Sequence, residues 1–192
     1  MTRIAVLLAN GFEDAEAFIV IDVLRRLKLT VETLACHDGR EVVSYFNQPV
    51  RADALLGERA HDLYDAIVLP GGPQGARNLG QSAQVVEFVK AHMAAGRLVC
   101  PLCSAGAHVL AANGLLAGRR YTCSGENYTL YQDGTYVPEP IVEDRNVLSG
   151  MGLGFAFHFA LTIGAKFVAP DIVQTQAQHI YIEDWTPDTA TT

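Results

Sequence analysis

The chain has 192 residues, 49% of them hydrophobic and 18% charged, and carries a net charge of −7. It is long enough to bury a large core and too apolar for a disordered chain. The acidic balance speaks against nucleic-acid binding, which calls for a basic face, and no run of about 18 apolar residues suggests a membrane span.

Met1-Thr2-Arg3-Ile4 passes straight into a strand without the layout of a signal peptide. Cys36, Cys100, Cys103 and Cys123 are too sparse for a disulfide framework, so a cytoplasmic location is expected. Arg3 to Leu8 reads as a buried parallel strand. Asn10-Gly11 turns the chain into a helix from about Asp14 to Leu27, with Ala17, Ile21, Leu24 and Leu27 at helical spacing. Glu13 and Asp14 suit a helix N-terminus. Glu16 stands one turn further in, behind the C-terminal end of a strand, where α/β proteins place their sites.

Thr30 to Ala35 is a second strand, Val42-Val43 and Pro49-Val50 are short strands of an excursion, and Leu55 to Leu63 is a surface segment with some helix. A third buried strand, Ala66 to Leu69, ends at Pro70-Gly71-Gly72-Pro73. That glycine pair reads either as a plain turn or as backbone N–H groups free to face a ligand. No phosphate-loop or dinucleotide fingerprint is present. A helix over Ser82 to Ala94 follows, then a strand over Leu98 to Leu102.

At Cys103 the apolar run stops, small residues Ser104-Ala105-Gly106 follow, and a helical pattern continues to about Asn113-Gly114. Strand, tight turn and helix with a cysteine at the corner make a nucleophile elbow. A thiol at a helix N-terminus is expected to have a lowered pKa and to react as the thiolate. The competing reading is a buried structural cysteine. Beyond it come a strand over Gly118 to Cys123, an irregular region, a hairpin over Ile141 to Ser149, a glycine corner, and helices over Phe155 to Gly164 and Pro170 to Gln178. The alternation implies one α/β domain over residues 1–185, with a polar, mobile tail over 186–192.

Strand C-terminal ends gather in one crevice in such a sheet. Glu16, Gly71-Gly72 and Cys103-Ser104 are therefore expected to meet there. A thiol, a carboxyl group and an oxyanion hole from the N–H groups of Gly72 and Ser104 would suit attack on a carbonyl. Cys100 and Cys103 also spell C-x-x-C, but the first lies in a strand, the reverse of the redox arrangement, and no second ligand pair makes it a zinc site.

These residues resemble the ThiJ/PfpI superfamily, and most closely its parkinsonism-associated deglycase branch. The likeness rests on residues 9–16 (Ala9-Asn10-Gly11-Phe12-Glu13-Asp14-Ala15-Glu16), on 68–79 with Pro70-Gly71-Gly72-Pro73, on Leu102-Cys103-Ser104-Ala105-Gly106, and on the turn and helix Gly150 to Leu161. It covers roughly residues 3 to 170. The resemblance implies a flavodoxin-like α/β three-layer sandwich, a homodimer, Cys103 as nucleophile and Glu16 as its hydrogen-bond partner. With the charge, hydropathy and cysteine spacing above, the expected partner is a small-molecule carbonyl substrate, with no cofactor, metal, nucleic acid or membrane. Members include glutathione-independent glyoxalases, protein deglycases, oxidation sensors, chaperones active in stress, peptidase-like proteins and isonitrile hydratases.

The chain departs from the pattern where relatives carry a histidine: Ser104 follows Cys103 directly, and Ser124 stands after the later strand. His108 lies about 140° around an ideal helix from Cys103 and is expected to point elsewhere, while His158 is expected to serve packing or an interface. Without a Cys-His pair, peptidase activity is not expected. The reading is a carbonyl enzyme (methylglyoxal to lactate) using Cys103 and Glu16, with Gly71 and Ser124 in support. The rivals are an oxidation-sensing protein and an isonitrile hydratase.

Overall fold

A computed structural model describes residues 1–186; the tail expected over 186–192 lies almost wholly outside them. In chain order the strands are β1 (Arg3–Leu8), β2 (Thr30–Ala35), β3 (Glu41–Val43), β4 (Pro49–Arg51), β5 (Ala54–Leu55), β6 (Ala66–Leu69), β7 (Leu98–Pro101), β8 (Arg120–Tyr121), β9 (Thr135–Tyr136), β10 (Ile141–Asp144) and β11 (Val147–Gly150). The helices are α1 (Asp14–Arg26), α2 (Gly75–Gln81), α3 (Ala83–Ala94), α4 (Ala156–Ala165) and α5 (Pro170–His179).

Seven strands form the main sheet in the order β10-β11-β7-β6-β1-β2-β5, and all neighbours run parallel except β10 against β11. Period-2 alternation sends side chains to two cores. Ile4, Val6 and Leu8 of β1 pack with α1, α4 and α5 on one face, while Ala5 and Leu7 pack with α2 and α3 on the other. This is the three-layer α/β arrangement expected. The chain winds outward from β1 through β2 to β5, then returns to β6 beside β1 and winds the other way. The crevice of such a doubly wound sheet opens at that switch point. The loops after β1 and β6 therefore face each other.

Four details differ from the expectation. The segment Gly75–Gln81 is helical although two of its seven residues are glycines, poor helix formers in isolation; Leu79 and Ala76 are fully buried there, and tertiary packing overrides propensity. The segment after Cys103 is a π-turn, Gly106–Leu110, and a short 3-10 turn, not a regular helix. The strand expected over Gly118 to Cys123 shrinks to β8, which pairs only with β9 outside the main sheet. Asp14 does more than favour a helix start: its carboxylate accepts from the Ser44 hydroxyl and the Phe46 N–H, pinning the β3–β4 hairpin over the start of α1.

Candidate active site

Cys103 sits one residue beyond Leu102, whose N–H donates to Leu69 O at 2.9 Å and extends the β6–β7 ladder to the corner. The Cys103 N–H donates to Gly150 O at 2.9 Å, and the backbone there turns to φ +59°, in the left-handed region. For a residue with a Cβ that conformation is strained. The surrounding β-ladder and Ala105 N–H, which donates back to Leu102 O, hold it. The elbow expected from the sequence is thus present, with the thiol partly exposed at the sheet's C-terminal edge.

Glu16 comes to the same place from α1. It is 1% exposed, and its Oε2 accepts the Gly71 N–H at 2.8 Å across the switch point. Its Oε1 is buried without a hydrogen-bond partner among the described residues. The missing side chain of Gly71 is what lets thiol and carboxyl meet. A Cβ there would lie 2.6 Å from Cys103 Cβ, 2.6 Å from Glu16 Oε2 and 3.0 Å from Cys103 Sγ. Gly71→Ala is expected to push the pair apart, with destabilisation of about 1–3 kcal/mol as for other overpacked sites. Thermal unfolding and iodoacetamide labelling of Cys103 check this; an alanine variant with native midpoint and labelling would show the contact to be soft.

Gly71 thus spends its N–H on Glu16. Gly72, at φ +96°, keeps an N–H with no acceptor among the described residues. Its carbonyl accepts from the buried Ser104 hydroxyl at 3.4 Å, which ties the loop after β6 to the elbow. The Ser104 N–H is turned toward the Cys103 sulfur. Of the two donors expected to form an oxyanion hole, the Ser104 N–H lies against the thiol, and Gly72 is tied to the elbow through its carbonyl.

The expected lowering of the thiol pKa is not found. Burial, reinforced by the charge of Glu16, raises Cys103 to about 11, against the opposing hydrogen bonds from the Ser124 hydroxyl and the Ser104 N–H. The turn's dipole does not overcome desolvation. Glu16 is itself raised to about 7, chiefly by burial, with the Cys103 and Gly71 hydrogen bonds pulling the other way. The resting pair is a thiol facing a carboxyl group that is half ionised near neutral pH.

Ser124 stands beside the thiol, as the sequence placed it, and Asn127 behind it was not anticipated. Asn127 Nδ2 donates to Ser124 O at 2.8 Å and to Ser124 Oγ at 3.3 Å, leaving the serine proton free for sulfur. The turn Asn127–Leu130 that carries it has no apolar pattern to announce it. Replacing Ser124 with Ala removes one donor to the thiolate, so its pKa should rise further. The expected loss is about fivefold in Cys103 alkylation at pH 8, the equivalent of about 1 kcal/mol. Asn127→Ala should lose less, and equal rates in all three proteins would remove the serine from the site.

The other candidates lie elsewhere. His108 does not reach the thiol; its ring is buried and its Nδ1 lies 3.1 Å from the Tyr131 hydroxyl. His158 faces Asp184 at 3.1 Å near the surface. All four cysteines are free, and Cys100 is fully buried with its thiol raised well above its ordinary value by desolvation.

A family model described as the DJ-1/PfpI family matches residues 2–166. The chain is 33% identical over 165 residues to Protein DJ-1 homolog B of Arabidopsis thaliana, covering 86% of this chain but 38% of that longer protein. It is 32% identical over 174 residues to the glutathione-independent glyoxalase DJR-1.2 of Caenorhabditis elegans, covering 83% of this chain and 86% of that one. In structure it matches the C103A mutant of the DJ-1 superfamily protein STM1931 from Salmonella typhimurium with a TM-score of 0.93 and 54% identity, over 94% of this chain and 98% of the other.

Proposed function

The chain belongs to the DJ-1/PfpI family, and from that premise we propose that it is a cofactor-free enzyme on small reactive carbonyls, converting methylglyoxal to lactate through Cys103 and Glu16. The observation that carries this reading is the Gly71 contact. One N–H binds Glu16 Oε2 at 2.8 Å, and the absent side chain leaves the thiol and carboxyl group adjacent at the switch point of the sheet. The glyoxalase among the relatives supports the substrate class.

In the proposed reaction the Glu16 carboxylate takes the thiol proton as sulfur attacks the aldehyde carbon. The carbonyl π pair moves to oxygen, where the N–H groups of Gly72 and Ser104 meet the charge. Glu16 returns the proton to that oxygen, giving a hemithioacetal. It then removes the proton from the former aldehyde carbon and delivers one to the neighbouring ketone carbon through an enediol. The result is a lactoyl thioester. Water cleaves it, releasing lactate and the thiol, so methylglyoxal plus water balances lactic acid. A carboxyl group near pKa 7 serves as both base and acid in these steps. The test is lactate formation from methylglyoxal with no cofactor added: turnover above the rate with heat-denatured protein is expected, and its absence overturns the assignment.

A second reading is supported by the partial exposure of Cys103, shared among the cysteines with Cys36, whose thiol donates to Leu34 O at 3.6 Å, against the burial of Cys100 and Cys123. In it, peroxide oxidises Cys103 to a sulfinate and the protonated Glu16 donates to it. Peptide mass spectrometry after mild peroxide checks this; oxygen spread evenly over the four cysteines would defeat it.

A further inference from the structure

Behind the elbow, away from Cys103 and Glu16, lies a second cavity of about 430 Å³, lined by Arg77, Gln81, His108, Asn113 and Tyr131 with Gly80 and Ala112. Its size is within the range of small-ligand sites. Arg77 projects from α2, and among the described residues no carboxylate pairs with it and no acceptor binds it. Arg77 is exposed to solvent at the cavity. His108 offers a buried ring at the cavity wall, held by Tyr131, and the T-shaped packing of the two rings fixes its orientation.

The remaining groups narrow the chemistry. Asn113 Nδ2 is committed to Gly80 O at 3.1 Å and Val109 O at 2.9 Å, so it holds the wall together. The Arg77 guanidinium and the Gln81 amide remain as donors, the Tyr131 hydroxyl being paired with His108 Nδ1. Burial disfavours the His108 imidazolium and the charge of Arg77 adds to it; an Asn127 hydrogen bond opposes both, and no carboxylate bears on the ring among the described residues. The cavity therefore presents one fixed positive charge and a second that can be switched on, with no carboxylate paired to Arg77 among the described residues.

We propose that this cavity is a binding site for a small molecule bearing a carboxylate or phosphate group, distinct from the Cys103 crevice. The anion lies against the Arg77 fork, which grips planar oxyanions through paired N–H donors. Its charge offsets that of Arg77 at His108, so the imidazole takes up a proton more readily, and by linkage the site binds anions more tightly as pH falls through the histidine range.

The experiment follows the His108 imidazole by NMR over pH 5 to 8, its signal assigned by its loss in His108→Gln. Sodium acetate and inorganic phosphate are added in turn at constant ionic strength, with chloride as control. A saturable upward shift of the His108 titration is expected with acetate, phosphate or both, and the stronger of the two identifies the head group. Arg77→Gln should raise the titration in the absence of ligand and abolish the added shift, Arg77→Lys should keep part of it, and Cys103→Ala should keep all of it. No shift beyond that of chloride, a shift that survives in Arg77→Gln, or one lost in Cys103→Ala would each overturn the proposal. The last would place the anion at the thiol.

Discussion

Cys103→Ser is expected to abolish lactate formation from methylglyoxal, with a loss of at least about a thousandfold, while leaving fold and thermal midpoint nearly unchanged. The reason lies in how the nucleophile is made. The thiol rests protonated, raised to about 11, so the site holds no standing thiolate and depends on Glu16, at about 7, to take the proton during attack. A gap of about 4 units between base and thiol is uphill but can be crossed as the C–S bond forms. A serine hydroxyl is far less acidic than a thiol, water itself ionising only at about 15.7. The same carboxylate then has no effective nucleophile to deprotonate. Serine is close in size to cysteine and meets the same backbone at φ +59°, so the elbow should stand. The check is lactate assayed over a methylglyoxal range, with mass spectrometry for a covalent adduct on the native protein. Turnover retained in the serine variant would show that the thiol is not the attacking group, and the covalent route would fail.

The architecture and the meeting of Glu16, the glycine pair and Cys103 were legible in the sequence because they depend on local signals. β1, β6 and β7 are unbroken apolar runs that read as strands buried on both faces. Small residues after Cys103 announce a tight corner, and parallel topology then brings the strand ends together. What the sequence did not show depends on distance and burial. The thiol's pKa follows desolvation and a neighbour 87 positions away in the chain, so the local helix argument predicted the wrong sign. Gly71 reads as half of a turn, and only the built site shows its N–H committed to Glu16, leaving Gly72 as the free donor. Asn127 carries no pattern because what it holds is the carbonyl and hydroxyl of a single serine. α2 is held by burial of Leu79 and Ala76, which outweighs two glycines.

Glu16→Gln is the variant that separates the two halves of the site. The native pair loses its first proton near pH 7, mostly from Glu16, and its second near 11, mostly from the thiol. Both are values of the coupled pair. Once the first proton has gone, the remaining one is shared, and a minor form carries it on the carboxyl group with sulfur as thiolate. Lactate formation and Cys103 alkylation should therefore rise from pH 5 to a plateau just above 7, then climb again above about 10. With glutamine the first step has no titrating group behind it. Turnover should fall about 10²–10⁴-fold, the usual range for losing a general acid/base, and alkylation should climb only toward the thiol's own high pKa. Stability should move the other way. The folded-state value of Glu16, raised from 4.5 to about 7, means that folding favours its protonated form. That contribution is full below about 4.5 and lost as pH passes 7. The glutamine variant does not lose it, so at pH 8 it should exceed the native protein in unfolding free energy by up to about 3 kcal/mol, and the two should converge at pH 4. Urea unfolding at both pH values, read beside the alkylation profile, checks the argument. A variant that lost activity and stability together at pH 8 would make Glu16 a structural anchor, and an alkylation step at pH 7 that survived in glutamine would assign that proton to another group.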